Sequence, residues 1–533
     1  MVTISAHSAK GLSPAPGSGQ LPRMRRLAIL LLLIVAACHA PSREPLPRDS
    51  LVRMADDEAK SLDPQKASDL ATIRIASDQF EGLTRMNGLG KAEPGLASGW
   101  HISPDGRSWR FALRPGLSFS DGQPITPATF VAVFARLRDE ATASPNAALF
   151  ENIESISAEG GAVIVRLVQP MPALPELLAL PSMAALPVHR IASVSDDWTA
   201  DRPLVTSGPY RLVEWRLNDH LKLERNPVWH SGKAPTPYVE WRPVTDRLTG
   251  LRSFAGGEAD TTNDFPPTRA AWIKLHDPGA AHVATYNGNY YFVFNTRAAP
   301  FSDLRVRRAL SMVIDRPWIA GKLIGLGTLP AWGIVPPAIA APLAPYRPVW
   351  ADWPIARRQA VARRLLSRAG YGLQHPLTFD VRFNSDADHR RVAVAMAAMW
   401  RPLGVEAHLL NSEASLHFAS LRRHDFALAR SGWIGDLAAP ENYLAIHRSD
   451  AGAINYSGYA SKAFDAAFDR AMATSDPVLR ARAMRTAEAI LIEDAPLIPI
   501  YFTVSRSLVA PRVIGWHDNA ANTHPSRTLS LKP

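Results

Sequence analysis

A single cysteine, Cys38, in a chain of 533 residues is the feature that most constrains the fold. One cysteine can form no internal disulfide, and it cannot supply the several thiolates of a structural zinc or iron–sulfur site. The chain must therefore be stabilised by burying apolar side chains, and its 47% of hydrophobic and 20% of charged residues are typical of globular proteins. No apolar run reaches the roughly 18 residues of a membrane-spanning helix. Disulfide-rich, disordered and multi-pass membrane proteins are excluded, and the length predicts about two to four domains.

The segment before Cys38 is typical of a bacterial export signal. Arginines precede an apolar run at residues 27–37, which is long enough for a signal-peptide core and too short to span a membrane. The run ends in Val-Ala-Ala directly before Cys38 and so resembles a lipobox. We therefore predict that residues 1–37 are a signal peptide and that Cys38 is the lipidated first residue of the mature protein.

The region around Cys38 leaves two alternatives open. Residues 38–50 are polar and rich in proline, and as a lipid-anchored tether they would hold the protein at the membrane. In the alternative reading the segment is an ordinary secretory signal, and the cysteine is incidental. Met1 and Met24 are both possible starts, and Met24 would place two arginines directly before the apolar run.

The hydrophobic pattern after residue 50 predicts a mixed α and β protein with strands dominating the first half. Apolar residues that alternate, or that form short runs between turn residues, predict strands. Apolar residues with helical spacing after a capping residue predict helices. The predicted strands cover 109–113, 162–168, 210–215, 221–223, 290–295, 377–383 and 497–504. The predicted helices start after Ser302, at about residue 355, after Ser461 and after Asp476.

The helix predicted after Ser302 illustrates the reasoning. Its apolar face extends from Val306 to Ile314, and we expect Pro317 to end or kink it, because proline cannot donate the next backbone hydrogen bond. The arginines of this segment, including Arg307, are expected to be solvated or ion-paired.

No sequence motif of catalysis or metal binding stands out. None of the sixteen histidines lies two, three or four residues from another, and the chain contains no Gly-x-x-x-x-Gly-Lys or Gly-x-Gly-x-x-Gly loop. The acidic residues 56–58 are interpreted as a solvated surface. The net charge of +10 is spread along the chain without a basic run, which disfavours nucleic-acid binding. We therefore predict a binding protein with no cofactor and no metal, and we keep a secreted hydrolase as the competing class.

Blocks of sequence from Ser61 to the C-terminus carry a family resemblance. Together and in this order they resemble the extracytoplasmic solute-binding receptors of ABC peptide importers, and most of all the oligopeptide-binding members. The blocks are SLDP at 61–64, EGL at 81–83, WRFALR at 109–114, FSDGQPIT at 119–126, SGPY at 207–210, LERNP at 223–227, GEAD at 257–260, APFSD at 299–303, RVRRAL at 305–310, ARSGWIGD at 429–436 and IPIY at 498–501.

The resemblance implies an α/β architecture, the bilobal periplasmic-binding-protein type II fold with a hinge and an extra inserted domain. It implies three domains in the mature chain. Domain I would comprise residues 51–80, 203–298 and 504–533. Domain II would comprise 81–202, and domain III 299–503.

The resemblance also implies a function. A receptor of this family captures a peptide between two closing lobes and delivers it to the permease of an ABC transporter in the inner membrane. It would act in the periplasm as a monomer and is not an enzyme. The alternative is the same fold with another solute: a dipeptide, a murein peptide, a metal chelate or haem. A sensor or chaperone role for the same body also stays open.

The site residues are implied by the family motifs. Asp436 would pair with the α-ammonium of the peptide, because a buried ammonium needs a carboxylate partner. Backbone groups of one strand would bond the peptide from one side, and a segment of the opposite lobe from the other. A histidine and an arginine would meet a ligand carboxylate. A solvated histidine at a helix start is the alternative for the histidine, and Arg422 or Arg423 could take the place of the arginine. The residues are Gly432, Trp433 and Ile434 for the strand, Ser68, Asp69 and Leu70 for the opposite segment, and His389 and Arg430 for the carboxylate.

Overall fold

The computed structural model describes residues 47–200, 202–340, 343–474 and 476–532, and of residues 193–197 the backbone alone. The strands in chain order are β1 (Ser50–Ala55), β2 (Thr84–Met86), β3 (Ala92–Pro94), β4 (Ala97–Ile102), β5 (Ser108–Leu113), β6 (Ile153–Glu159), β7 (Ala162–Leu167), β8 (Tyr210–Arg216), β9 (His220–Arg225), β10 (Tyr238–Pro243), β11 (Thr261–Thr262), β12 (Ala281–Phe294), β13 (Leu329–Pro330), β14 (Leu377–Asn384), β15 (Val405–Ser412), β16 (Leu428–Ile434), β17 (Leu497–Val509), β18 (Val513–Ile514) and β19 (Ser530–Leu531).

The α-helices are in most cases preceded by an acidic or hydroxyl residue at the capping position, such as Asp69, Asp303 or Asp476. In chain order they are α1 (Leu70–Gln79), α2 (Pro127–Arg138), α3 (Leu174–Leu177), α4 (Val188–Val194), α5 (Arg247–Ala255), α6 (Ala270–His276), α7 (Leu304–Met312), α8 (Arg316–Trp318), α9 (Pro337–Ala340), α10 (Ile355–Arg368), α11 (Ala387–Trp400), α12 (Ala414–Arg422), α13 (Glu441–Leu444), α14 (Lys462–Met472) and α15 (Pro477–Asp494).

One large mixed sheet organises the molecule. Its strand order is β15-β14-β16-β12-β17-β11-β1-β10-β9-β8, with β13 added on β17. At one end β14 runs parallel to both β15 and β16, and at the other β1 runs parallel to β10 and β11. A separate antiparallel sheet, β4-β5-β7-β6, is formed by residues 97–167. The chain therefore builds two parallel regions that share one sheet.

The long strands β12 and β17 join these two regions. They pair antiparallel from Ala281 opposite Leu508 to Val293 opposite Leu497. The pairing register shifts between Thr285 and Asn289, where the regular ladder is interrupted. These two strands are the structural connection on which a hinge between the regions would depend.

Four hydrophobic clusters fill the interior of the described chain. The largest contains buried residues of segment 55–241 together with Leu437 and Ala439. Two more lie on opposite faces of β12, because Tyr290 and Phe292 point into one and Tyr291 and Val293 into the other. A small cluster packs α5 and α6 against β17. Burial on both faces explains why β12 is apolar at every position from 290 to 294.

Most predicted elements are confirmed with small changes of bounds. The strand pattern at 377–383 corresponds to β14, and Ser461 and Asp476 cap α14 and α15 as predicted. The strands predicted at 210–215 and 221–223 are β8 and β9, which form a hairpin with Asn218 in the left-handed region at φ 60°. β12 begins nine residues before the predicted 290, and β17 ends at Val509 rather than 504.

The helix predicted after Ser302 needs correction at both ends. Asp303 is the cap, since its carboxylate accepts from the backbone N–H of Arg305 at 2.8 Å. The helix ends at Met312, and Pro317 lies in the first turn of the next helix, where proline is tolerated. The predicted apolar face is confirmed, because Val306 and Ile314 are fully buried.

Arg307 contradicts the expectation that the arginines of α7 are solvated or ion-paired. Its side chain is buried and donates to the backbone carbonyls of Phe301, Asp494 and Ala495 at 2.7–3.0 Å. These carbonyls compensate for the lost water, and desolvation lowers the pKa of the guanidinium. Arg307 thus ties α7 to the end of α15.

A buried carboxylate, Glu488, supports the segment before α9. It accepts from the backbone N–H groups of Ile334 and Val335 at 2.8 and 3.0 Å. Burial raises its pKa to about 7, and these two backbone hydrogen bonds oppose the rise.

The predictions for the N-terminus are largely outside the described residues. The signal peptide at 1–37, the lipidation of Cys38 and most of the tether fall in residues 1–46. Ser50, which was assigned to the tether, is the buried first residue of β1. The described residues from Asp49 onward belong to one compact unit, and the bounds of the three domains stay a prediction. Among the residues with described structure, no helix is both long and apolar enough to cross a bilayer.

Candidate functional site

The end of β16 presents an open strand edge. On one side β12 pairs with it along its whole length, from Gly288 opposite Ile434 to Phe294 opposite Leu428. On the other side β14 pairs only with the first two residues, Leu428 and Ala429. No described strand pairs with residues 430–434 on that side, although the carbonyl of Arg430 already accepts from Nε2 of His417 at 2.9 Å. The predicted residues Gly432, Trp433 and Ile434 lie on this edge, where an extended chain could add as a strand.

The structure shows why position 432 must be a glycine, which the sequence did not reveal. A Cβ at this position would stand 2.6 Å from the carbonyl oxygen of Asn289, which is closer than two such atoms can approach. The close backbone neighbour is therefore β12 of the same chain. The glycine is needed for pairing, and pairing in turn sets the position of the open edge.

Trp433 is held from two directions. Its backbone N–H donates to Oδ1 of Asn289 at 2.9 Å, and its indole Nε1 donates to Oδ1 of Asn442 at 3.0 Å. The side chain is half-buried, and Ile434 beside it is 43% exposed. Trp433 is thus both packed and accessible, and it can form a rigid wall of a ligand site.

Asp436 follows the open edge and has an accessible side chain. Its backbone N–H donates to Oδ1 of Asn442 at 3.1 Å, while its carboxylate forms no ion pair with any described lysine, arginine or histidine. Surrounding protein still removes part of its hydration, and this desolvation raises the pKa of Asp436 above its ordinary value. An incompletely hydrated carboxylate with no cationic partner is suited to receive a cation from a ligand.

The loop that carries Asp436 is braced by residues that the sequence analysis missed. Asn442 accepts from both Trp433 and Asp436, and the hydroxyl of Tyr443 donates to the carbonyl of Asn287 at 2.8 Å. That same carbonyl accepts from the backbone N–H of Gly435. The contacts of Asn442 are local, whereas those to the carbonyl of Asn287 come from residues about 150 positions away, and only the ARSGWIGD block could have pointed to the loop.

His389 and Arg430 meet around the ring of Tyr290. The imidazole centroid lies 5.4 Å from that ring, and the guanidinium carbon of Arg430 lies 4.8 Å from it. Nδ1 of His389 and Nε of Arg430 are buried and make no hydrogen bond to the described residues. Burial, with the nearby charge of Arg430, lowers the pKa of His389 to about 3, so its imidazole is neutral at physiological pH. The alternative of a solvated histidine at a helix start does not fit this burial.

Ser68, Asp69 and Leu70 lie at the start of α1. Asp69 caps the helix, and its carboxylate accepts from the backbone N–H and the hydroxyl of Thr72, both at 2.9 Å. Its carboxylate is therefore already engaged, and Ser68 is left exposed. Leu70 is 39% exposed and lines a cavity of about 290 Å³.

This cavity lies where three parallel strands end. Asp56, Asp246 and Asp264 follow the carboxyl ends of β1, β10 and β11, and all three line it. Ligands of open α/β sheets bind at this kind of position. Two of these carboxylates are paired, Asp56 with Arg74 at 2.9 Å and Asp264 with Arg506 at 2.8 Å. The acidic residues 56–58 are thus partly paired rather than simply solvated.

Tyr286 connects the cavity with Asp436. Its ring lines the cavity beside Leu70. Burial raises the pKa of its hydroxyl, Arg74 opposes this rise, and the charges of Asp56 and Asp436 add to it. The carboxylate predicted as the ammonium partner therefore lies within electrostatic reach of the cavity. In the described chain, no group of three histidines, cysteines or acidic residues has the geometry of a metal site.

The structure thus combines an open strand edge, an unpaired carboxylate and a neutral histidine beside an arginine with a cavity at strand ends, which Leu70 and Tyr286 line. These features are those of a solute-binding α/β protein. The chain belongs to the bacterial extracellular solute-binding proteins of family 5, whose profile, described as the middle part of that family, matches residues 91–455. This confirms the predicted family and the bilobal type II fold. The family consists of substrate-binding proteins of transporters.

Three relatives show the extent of the similarity. The periplasmic oligopeptide-binding protein OppA of Salmonella typhimurium is 33% identical over 515 residues, which cover 92% of this chain and 94% of that protein. The periplasmic murein peptide-binding protein MppA of Escherichia coli is 32% identical over 522 residues, covering 93% and 96%. The structure of Haemophilus influenzae OppA in complex with the peptide RPPGFSPFR superposes with a TM-score of 0.80 at 28% identity, covering 91% and 100%.

Proposed function

We propose that this protein is the peptide receptor of an ABC importer and that it binds oligopeptides by their backbone and termini. The observation that carries the proposal is the unpaired carboxylate of Asp436 beside the open edge of β16. Oligopeptides differ in their side chains but share an ammonium group, a carboxylate and a backbone with regularly spaced donors and acceptors. A site that reads these shared groups can accept many sequences.

The first step of binding is recognition of the ammonium group. Asp436 is incompletely hydrated and has no cationic partner in the protein, so the ammonium group of a peptide would give its carboxylate a positively charged partner. The carboxylate would keep its charge in the complex, because an adjacent cation lowers the pKa that burial has raised. A peptide with an acetylated N-terminus offers no such cation.

The peptide backbone would then extend along residues 432–434. The free edge of β16 supplies N–H and C=O groups at the spacing of a strand, and the fixed ring of Trp433 limits movement beside it. Leu70 and the exposed start of α1 would face the peptide from the opposite side of the cleft. Closure of the lobes would exclude water and strengthen each of these bonds.

A carboxylate of the ligand would be met by His389 and Arg430. Nδ1 of His389 and Nε of Arg430 make no hydrogen bond to the described residues and are buried beside Tyr290. Nδ1 lies 3.7 Å from the carboxylate of Asp386. Arginine supplies positive charge, and a neutral imidazole can donate one hydrogen bond. The pair offers donors without placing a second full positive charge in the pocket.

The remaining parts of the proposal concern location and assembly. We propose that Cys38 carries a lipid, that the protein acts as a periplasmic monomer at the inner membrane, and that it delivers its ligand to the permease without changing it. Residues 51–80, 203–298 and 504–533 would form domain I, 81–202 domain II and 299–503 domain III. Metabolic labelling with a fatty acid, compared between wild type and Cys38→Ser, tests the lipid anchor.

Murein peptides are the second candidate ligand class. The specific support is the similarity to Escherichia coli MppA, whose identity to this chain is nearly the same as that of OppA. Both ligand classes carry ammonium and carboxylate groups, so Asp436 alone does not separate them.

The ligand that the protein retains on purification tests the proposal. Protein lacking residues 1–38 would be purified without denaturation and weighed by native mass spectrometry, then weighed again after unfolding. A mixture of short peptides released on unfolding supports an oligopeptide receptor. A single murein peptide supports the second candidate. Protein freed of its ligand by unfolding would then be refolded. Failure of tri- to pentapeptides to bind this refolded protein in calorimetry would contradict the oligopeptide assignment.

A further inference from the structure

Arg247 forms an ionic cluster next to the ligand site. It lies in the first turn of α5, and its guanidinium contacts three carboxylates. Nε lies 2.9 Å from Asp264, Nη2 lies 3.5 Å from Asp386, and Nη1 lies 3.8 Å from Asp388. The three side chains are between 17% and 26% exposed and Arg247 is 39% exposed, so water screens these pairs only in part.

The carboxylates belong to two separate packing units. Asp264 precedes Phe265, which packs with α5 and α6 in the small hydrophobic cluster. Asp386 and Asp388 belong to the start of α11, which packs in a different cluster through Val392 and Met396. Arg247 therefore links elements of the sheet's two parallel regions, in addition to the long strands β12 and β17 and to the packing of Leu437 and Ala439 in the largest cluster.

Asp386 connects Arg247 with His389 in the candidate site. Its carboxylate caps α11 by accepting from the backbone N–H groups of Asp388 at 2.8 Å and His389 at 3.2 Å. The imidazole of His389 projects from this first turn toward Tyr290. The side chain that fixes Asp386 from outside the helix is that of Arg247, while Arg391 holds the neighbouring Asp388 at 3.1 Å.

We infer that Arg247 is a positioning residue for ligand binding. Through Asp386 it holds His389 in place, and it thereby couples α5 to the part of the site that would bind a ligand carboxylate. This inference rests on the proposed function for its effect on peptides. Its effect on the start of α11 is independent of any ligand. Loss of the guanidinium leaves Asp386 free to turn toward water, so the cap and the imidazole lose their fixed orientation.

Two measurements test this role with Arg247→Met, Asp386→Asn and the double variant. In ligand-free protein, hydrogen exchange at residues 388–390 should become faster in Arg247→Met, while exchange in the middle of α11 stays unchanged. In calorimetry, affinity for a tripeptide with a free C-terminus should fall about three- to fivefold, the size expected for a partly exposed ion pair. The double variant should lose no more than the larger single loss, because both act on one interaction.

The controls separate positioning from general stability. Arg252→Met removes an exposed arginine of the same helix and should change neither measurement. Arg247→Lys keeps the charge without the planar fork and should restore part of the affinity. The same tripeptide with an amidated C-terminus should bind Arg247→Met and wild type equally, since it has no terminal carboxylate for His389.

Two results would overturn the inference. One is unchanged exchange at residues 388–390 in Arg247→Met. The other is an equal loss of affinity for the free and amidated peptides, which would indicate a general effect on stability or closure. If wild-type protein binds no peptide at all, the proposed function fails, and the exchange measurement still decides whether Arg247 orders the start of α11.

Discussion

Replacing Asp436 by asparagine removes the charge proposed to bind the peptide ammonium while keeping the shape of the side chain. Two unit charges about 4 Å apart interact by about 4 kcal/mol at an effective dielectric constant of about 20. Part of this is offset by the water that the accessible carboxylate must lose when a ligand binds. We therefore expect a loss of about 2–4 kcal/mol, or about 30- to 1000-fold in Kd.

Isothermal titration calorimetry with a tripeptide and its N-acetylated form isolates this interaction. Wild-type protein should prefer the free peptide by a similar factor, and Asp436→Asn should remove most of that preference. The matched control is Asp380→Asn, which changes an exposed aspartate of β14 and should leave both affinities unchanged. If Asp436→Asn keeps the wild-type preference for the free N-terminus, the carboxylate is not the ammonium partner, and the reasoning from its lack of a cation is wrong.

Three further predictions follow from the site and its surroundings. Affinity should be constant between the raised pKa of ligand-free Asp436 and the pKa of the peptide α-ammonium, about 8, and it should fall as the pH drops through the former, because protonation removes the charge of Asp436 that binds the ammonium; calorimetry across this pH range checks this, and Asp436→Asn should lose the acidic dependence. Gly432→Ala should cost about 1–3 kcal/mol of unfolding free energy, because its Cβ meets the Asn289 carbonyl, whereas Gly99→Ala has open space and should cost much less in the same denaturant titration. Glu488 is protonated in the folded protein up to about pH 7 and ionises near 4.5 when unfolded, so it should reduce stability by about 3 kcal/mol as pH rises between these values; Glu488→Gln should lack this fall in denaturant midpoints.

Local chemistry made many elements predictable. The alternation of apolar residues from 377 to 383 predicts β14, because successive side chains of a strand point to opposite faces and only one face of this strand packs against the core. Ser461 and Asp476 cap helices through hydrogen bonds to backbone groups two or three residues away. Such interactions depend only on neighbours in sequence, so the sequence contains them completely.

The errors occurred where distant segments decide local structure. The sequence pattern did not predict a strand at residues 281–287, yet pairing with residues 504–508 makes this segment part of β12. Arg307 carries a charge that the sequence pattern places in water, but the carbonyls of Asp494 and Ala495 satisfy it inside the protein. Neither partner could be identified from spacing, because nearly 190 residues separate the arginine from those carbonyls.

The candidate site also combines residues that the sequence indicated with supporting contacts that it did not. The motif around residues 429–436 indicated Gly432 and Asp436 through its resemblance to a family, but it did not show what fixes them. Asn442 braces Trp433 and the backbone of Asp436, and Arg247 contacts the cap of the helix that carries His389. Neither Asn442 nor Arg247 belongs to one of the motif blocks.

The sequence alone determined the family, the alternating α and β elements, and the residue types that can bind an ammonium and a carboxylate. Tertiary structure decided which strand edge stays open, which carboxylate lacks a partner, and that His389 is buried and neutral. The physical reason is that capping and periodicity act between neighbours, whereas desolvation, ion pairing and edge exposure depend on which remote segments fold against one another.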